Sequence, residues 1–147
     1  MPELAQRLAD VDARIGEAAR SAGRDPRELT RIVVTKFHPA TLVRDLHALG
    51  VRDVGENRQQ ELSAKRADTA DLDDLTWHFI GQAQTNKARA IRRAADAVHS
   101  VDRARLADAL DAAAEPDDPV LDALVQINLT DDPGRGGVAP EGVEALA

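Results

Sequence analysis

The sequence predicts an α/β fold, part of a (β/α)8 barrel, and three observations carry that prediction. Strand-like apolar runs alternate with segments of helical period along the 147 residues, and such alternation implies parallel strands joined by right-handed crossovers. An open doubly wound sheet usually has a glycine-rich turn after its first strand, but here that turn reads Lys36-Phe37-His38-Pro39. Polar residues also crowd the carboxyl ends of strands whose interiors are Ile, Val and Leu, which is where barrels carry their function.

A leading helix comes first. Leu4, Leu8, Val11, Ile15 and Ala18 recur at steps of four and three, and Gly23 with Pro26 ends the run. Arg31–Thr35 reads as a buried strand, and Leu42, Val43, Leu46 and Leu49 form the next helix, closed by Gly50. The unit then repeats. A short strand at Val51–Val54 leads into Gly55-Glu56-Asn57 and a polar helix near Arg58–Arg66. A strand at Thr76–Ile80 leads into Gly81-Gln82-Ala83-Gln84 and a helix from Thr85 to Ala95. A strand at Ala97–Val101 meets Asp102, a residue suited to N-capping the helix through Leu106 and Leu110. Glu115-Pro-Asp-Asp-Pro119 is a turn before a fifth strand at Val120–Leu129. Beyond a glycine-rich loop, Pro140-Glu141 opens a further helix. A leading helix and five strand–helix units make one domain, the first five strands of a barrel.

Composition narrows the function. There are 19 Lys and Arg against 26 Asp and Glu, a net charge of −7, which argues against nucleic acid or an anionic membrane as main partner. No run approaches the ~20 apolar residues of a membrane span. The start, Met1-Pro2-Glu3, does not resemble a signal peptide. The absence of cysteine excludes disulfides, thiol nucleophiles and thiolate metal sites, and the expected location is cytoplasmic. Only three of the cationic residues are lysines, so each lysine is informative. With no tyrosine, phenol is excluded as an acid or base.

Lys36 is the sharpest feature. It continues the alternation Ile32, Val34, Lys36, which predicts a desolvated amine sharing a face with apolar residues. A neutral amine attacks aldehydes to form a Schiff base, which arginine cannot do. The competing reading is a strand-end lysine that reaches solvent or pairs with Glu56. Asn57 and Gln60 have capping-box spacing. Thr85-Asn86-Lys87 reads as a helix start able to hold an anion. His38, His78 and His99 fall near strand ends, where a metal site or hydrogen-bonded core imidazoles both fit, but there is no His-x-His or His-Glu-x-x-His. Gly134-Arg135-Gly136-Gly137 reads as a solvent-exposed turn.

Taken in order, Val33-Val-Thr-Lys36-Phe-His-Pro39, Val54-Gly-Glu-Asn57, Trp77-His-Phe-Ile-Gly81 with Gln84-Thr-Asn-Lys87, His99-Ser-Val-Asp102 and Gln126-Ile-Asn128 resemble the pyridoxal-phosphate homeostasis proteins. The fold of these proteins is that of the alanine racemase N-terminal barrel. The resemblance runs from the first helix to the last residue. It implies a cytoplasmic protein holding pyridoxal 5′-phosphate as a Schiff base on Lys36, with Asn57, His78, Ser100 and Asn128 lining the cofactor pocket. It also implies a role in cofactor homeostasis without strong turnover, serving cofactor-requiring apoenzymes, and a family that is monomeric. Members continue for about three more strands that carry the phosphate-binding turns, in keeping with the general barrel pattern. The sequence is therefore expected to be the N-terminal portion of such a barrel, with weakened cofactor binding and with exposed edges on strands one and five that favour self-association. The alternatives from another class are a pyridoxal-phosphate-dependent amino-acid racemase and a metal-assisted hydrolase using the strand-end histidines.

Overall fold

A computed structural model describes residues 1–147. The leading helix α1 spans Pro2–Ser21 with proline in its first turn. Gly23, at φ 70°, supplies the left-handed residue just past the end of α1. Five strand–helix units follow: β1 (Val33–Val34) with α2 (Ala40–Ala48), and β2 (Asp53–Glu56) with α3 (Gln59–Asp68). Next come β3 (Thr76–Phe79) with α4 (Ala88–Ala94), and β4 (Ala97–Val101) with α5 (Ala104–Ala112). β5 (Asp122–Val125) is followed by α6 (Val143–Leu146), which a 3-10 turn at Pro140–Gly142 introduces.

The strands form one parallel sheet in the order β1-β2-β3-β4-β5. Every strand neighbours its predecessor, so the order never reverses as it does in a doubly wound sheet. The expected partial barrel is therefore the observed fold. One face of the sheet carries the core, in which Val54, Trp77, Phe79 and Val98 meet Leu46, Leu62, Ile91, Leu106 and Leu110 of the helices. Leu4 and Leu8 of α1 pack against it from outside. Residues of the other face stay open: Val34 is 43% exposed and Leu124 is 46% exposed. β1 and β5 are the sheet edges. No helix is long and apolar enough to cross a membrane.

Several boundaries differ from expectation, each for a local reason. β2 begins at Asp53 rather than Val51, because the Val51 amide donates to Leu46 O at 3.0 Å and belongs to the end of α2. β5 is short. Val120 is 90% exposed, and past Val125 the chain makes only a single bridge, Ile127 to Val138. The expected capping residues are not used as caps. Arg58 precedes α3 without a side-chain cap, so Asn57 and Gln60 form no capping box. Asp102 does not cap α5. It accepts from Arg103 Nη1 at 2.6 Å and from the Gly137 amide at 3.1 Å, tying the glycine-rich loop back to β4.

Candidate functional site

The carboxyl ends of β1, β2 and β3 meet in one place. The Thr35 amide donates to Gly55 O at 2.9 Å, and the Ile80 amide donates to Glu56 O at 2.9 Å. Gly81 follows, where a Cβ would lie 2.0 Å from Asn57 O, so only glycine lets the β2 and β3 ends approach this closely. Ile32, Val34 and Ile80 pack around the bare Cα of Gly55 and give the open face an apolar wall.

Lys36 stands at this rim in a turn after β1. The alternation holds, since Thr35 faces the helices fully buried and Lys36 leaves on the other side. The expectation of a desolvated amine is corrected: Lys36 is exposed, because no strand packs over this part of the open face. It makes no ion pair, and its ammonium lies 5.9 Å from the Phe37 ring centroid. Phe37 is itself unusual, 70% exposed at φ 65°, a left-handed conformation that costs a non-glycine residue energy. The Arg58 guanidinium lies 5.6 Å from the same ring.

Glu56 does not pair with Lys36. It pairs with Lys65 of α3, at 2.6 Å, with both side chains buried. Lys65 also donates to Thr35 O at 2.8 Å, and the Thr35 hydroxyl donates to Glu56 Oε1. The other carboxylate oxygen, Oε2, is buried without a partner.

A second polar chain crosses the open face. His78 Nε2 is 2.9 Å from Asp53 Oδ1, and His78 Nδ1 is 2.9 Å from His99 Nε2. With the carboxylate accepting from Nε2–H, Nδ1 of a neutral His78 is an acceptor and His99 donates to it. Partial burial and then the neighbouring His78 hold His99 below the ordinary imidazole value. Both His78 nitrogens are thus engaged within the chain, and no group of three or more suitable side chains is arranged to hold a metal. The metal-assisted hydrolase reading finds no ligand cluster. His38 is exposed and apart from this pair.

The other expected site residues fare differently. Asn57 is exposed and, with Arg58, Gln84 and Lys87, lines a polar cavity of about 340 Å³ floored by Phe79 and Ile91. Ser100 is 1% exposed and its Oγ has no hydrogen-bond partner. Asn128 is occupied locally, accepting from the Thr130 amide and hydroxyl and donating to Asp132 O.

The sequence pattern of the family described as alanine racemase, N-terminal domain, matches residues 8–147. The chain belongs to that family. Within it, the chain is 45% identical over 147 residues to the pyridoxal phosphate homeostasis protein of Pseudomonas aeruginosa, covering 100% of this chain and 64% of that protein. The protein of the same name from Escherichia coli K12 is 36% identical over 149 residues, with the same coverage. PipY of Synechococcus elongatus PCC7942, solved without PLP, superposes with a TM-score of 0.82 at 38% identity, covering 96% of this chain and 61% of that one. PipY with PLP bound gives a TM-score of 0.76 at 37% identity, covering 96% and 60%. The chain spans less than two thirds of the length of these relatives.

Among the residues of this family member, sequence reasoning missed Asp53 and Lys65. Asp53 pairs with Thr76, two residues before His78 on the same face, a signal readable only once the pairing of β2 with β3 is known. Lys65 was visible as one of three lysines, on a helix whose remaining residues are largely polar.

Proposed function

We propose that this chain is the N-terminal, amine-bearing part of a protein that binds pyridoxal 5′-phosphate in intracellular cofactor homeostasis, with Lys36 holding the cofactor as a Schiff base. One observation carries the reading. Lys36 is an unpaired, accessible primary amine at the carboxyl end of β1, on the rim of the open face of a barrel-type sheet. Of the other two lysines, Lys65 is buried in an ion pair and Lys87 lies in the outer cavity beside α4.

The residues present fit such a group. An aldehyde requires a free amine, and an aromatic ring is matched by the apolar wall of Ile32, Val34 and Ile80 around Gly55. The buried, unpartnered hydroxyl of Ser100 and the His78–His99 pair offer polar contacts. When bound, the cofactor supplies an aldehyde that condenses reversibly with an amine and releases water. The chain's own part would be to present Lys36, to offer the apolar wall of Ile32, Val34 and Ile80 to the group, and to orient His78 through Asp53. PipY with PLP bound, similar over nearly this whole chain, supports the reading. The proposed role is that of a carrier without strong turnover, which the names of the similar pyridoxal phosphate homeostasis proteins support.

The test is a titration with pyridoxal 5′-phosphate followed by absorbance, then borohydride reduction and peptide mapping. The label is expected on Lys36 and is expected to vanish in Lys36→Ala. A label on Lys65 or Lys87, or one that survives Lys36→Ala, overturns the assignment.

A further inference from the structure

We propose that Glu56, Lys65 and Glu61 are positioning residues for Lys36, acting on the backbone at both sides of it; the inference rests on the role proposed for that lysine. On the N-terminal side, Thr35 O accepts from Lys65 Nζ at 2.8 Å and from the His38 amide at 3.1 Å, which occupies both of its lone pairs. On the C-terminal side, the Phe37 amide donates to Glu61 Oε2 at 3.3 Å. Glu61 Oε2 lies 3.8 Å from Lys65 Nζ, and Glu56 Oε1 takes both the ammonium, at 2.6 Å, and the Thr35 hydroxyl. One cluster, buried at Glu56 and Lys65 and partly exposed at Glu61, therefore grips the peptide groups flanking Lys36 from the helix layer, while the Lys36 side chain stays free on the opposite side.

Two physical arguments make this more than packing. A buried ion pair gains little stability over an apolar pair of equal volume, so stability alone does not account for Glu56 and Lys65. The left-handed Phe37 persists only if its surroundings over-determine it, and these contacts on Thr35 and Phe37 do so. Functional side chains need such support, because a loosely held group loses the geometry that makes it effective.

The experiment compares the parent chain with Glu56→Met/Lys65→Met, which replaces the pair by apolar side chains of similar length, with Glu61→Ala, and with the conservative Glu61→Gln. Each is measured by thermal melting, by amide hydrogen exchange without cofactor, and by pyridoxal 5′-phosphate titration. The double variant is expected to melt cooperatively, while the Phe37 and His38 amides exchange faster than in the parent and the sheet amides do not. Its apparent affinity is expected to fall about tenfold, the scale of one hydrogen bond to a charged group. Glu61→Ala, a change at a side chain 28% exposed and outside the core, is expected to weaken binding about threefold to tenfold, and Glu61→Gln to restore it. A folded double variant, or Glu61→Ala, with parental exchange at Phe37 and parental affinity overturns the proposal. If the parent forms no adduct on Lys36 yet exchange at these amides quickens in the variants, the cofactor reading fails and the backbone grip stands.

Discussion

At the level of single residues, two predictions follow from contacts that admit little substitution. His99 is held below the ordinary imidazole value by partial burial and by His78. A folded value below the unfolded one means that the unfolded chain binds the proton more tightly, so the contribution of His99 to stability is complete above about pH 6.5. It is lost as pH falls through the depressed folded value. Melting temperature measured from pH 8 downward should start to decline near the unfolded value, and His99→Asn should flatten that part of the curve, above the range where carboxylates begin to protonate. Gly81→Ala is the second case. With Asn57 O only 2.0 Å from the new Cβ, the β2 and β3 ends must separate, at a cost of about 1–3 kcal/mol, measurable by urea denaturation.

At the level of elements, α3 and α4 are held on the sheet by fully buried Leu62 and Ile91. Leu62→Ala or Ile91→Ala should each destabilise by about 2–5 kcal/mol in chemical denaturation, because neither site can collapse without moving its helix. Where the sequence was legible, local pattern and tertiary placement agree. β4 was read at Ala97–Val101 and stands there, since Ala97, Val98 and Val101 are apolar and all three are buried. The placement of Lys36 was legible, because alternation alone puts it on the face opposite Thr35. Its exposure was not, since burial depends on what covers a face and not on the strand that presents it. Asp102 looked like a cap from its neighbours in sequence, but a loop 35 residues away claimed its carboxylate. The Glu56–Lys65 contact joins a strand to the following helix and the Asp53–His78–His99 contacts join three strands, so the periodicity of no single element reveals them.

At the level of the whole molecule, the sheet leaves β1 and β5 as edges, and Val34, Leu124 and Ile127 on view at 43%, 46% and 42% exposure. Unpaired strand edges and apolar surface promote association. Sedimentation velocity should therefore show the average mass rising with protein concentration. Affinity should also report where the phosphate is held. Phosphate-binding turns are expected in the late strands of a barrel, so pyridoxal and pyridoxal 5′-phosphate should bind this chain within about tenfold of each other. A much larger preference for the phosphorylated form, read by absorbance titration, would place the anion site within these 147 residues.

The uninterrupted strand order has a consequence for how the molecule is made. From β2 to β5, each strand finds its partner in the unit synthesised immediately before it. Pairing such neighbours closes shorter loops than pairing strands far apart in the sequence, which lowers the entropic cost of each step. A chain emerging at about 5–20 residues per second could add each strand–helix unit to an edge already formed, growing in the direction of translation.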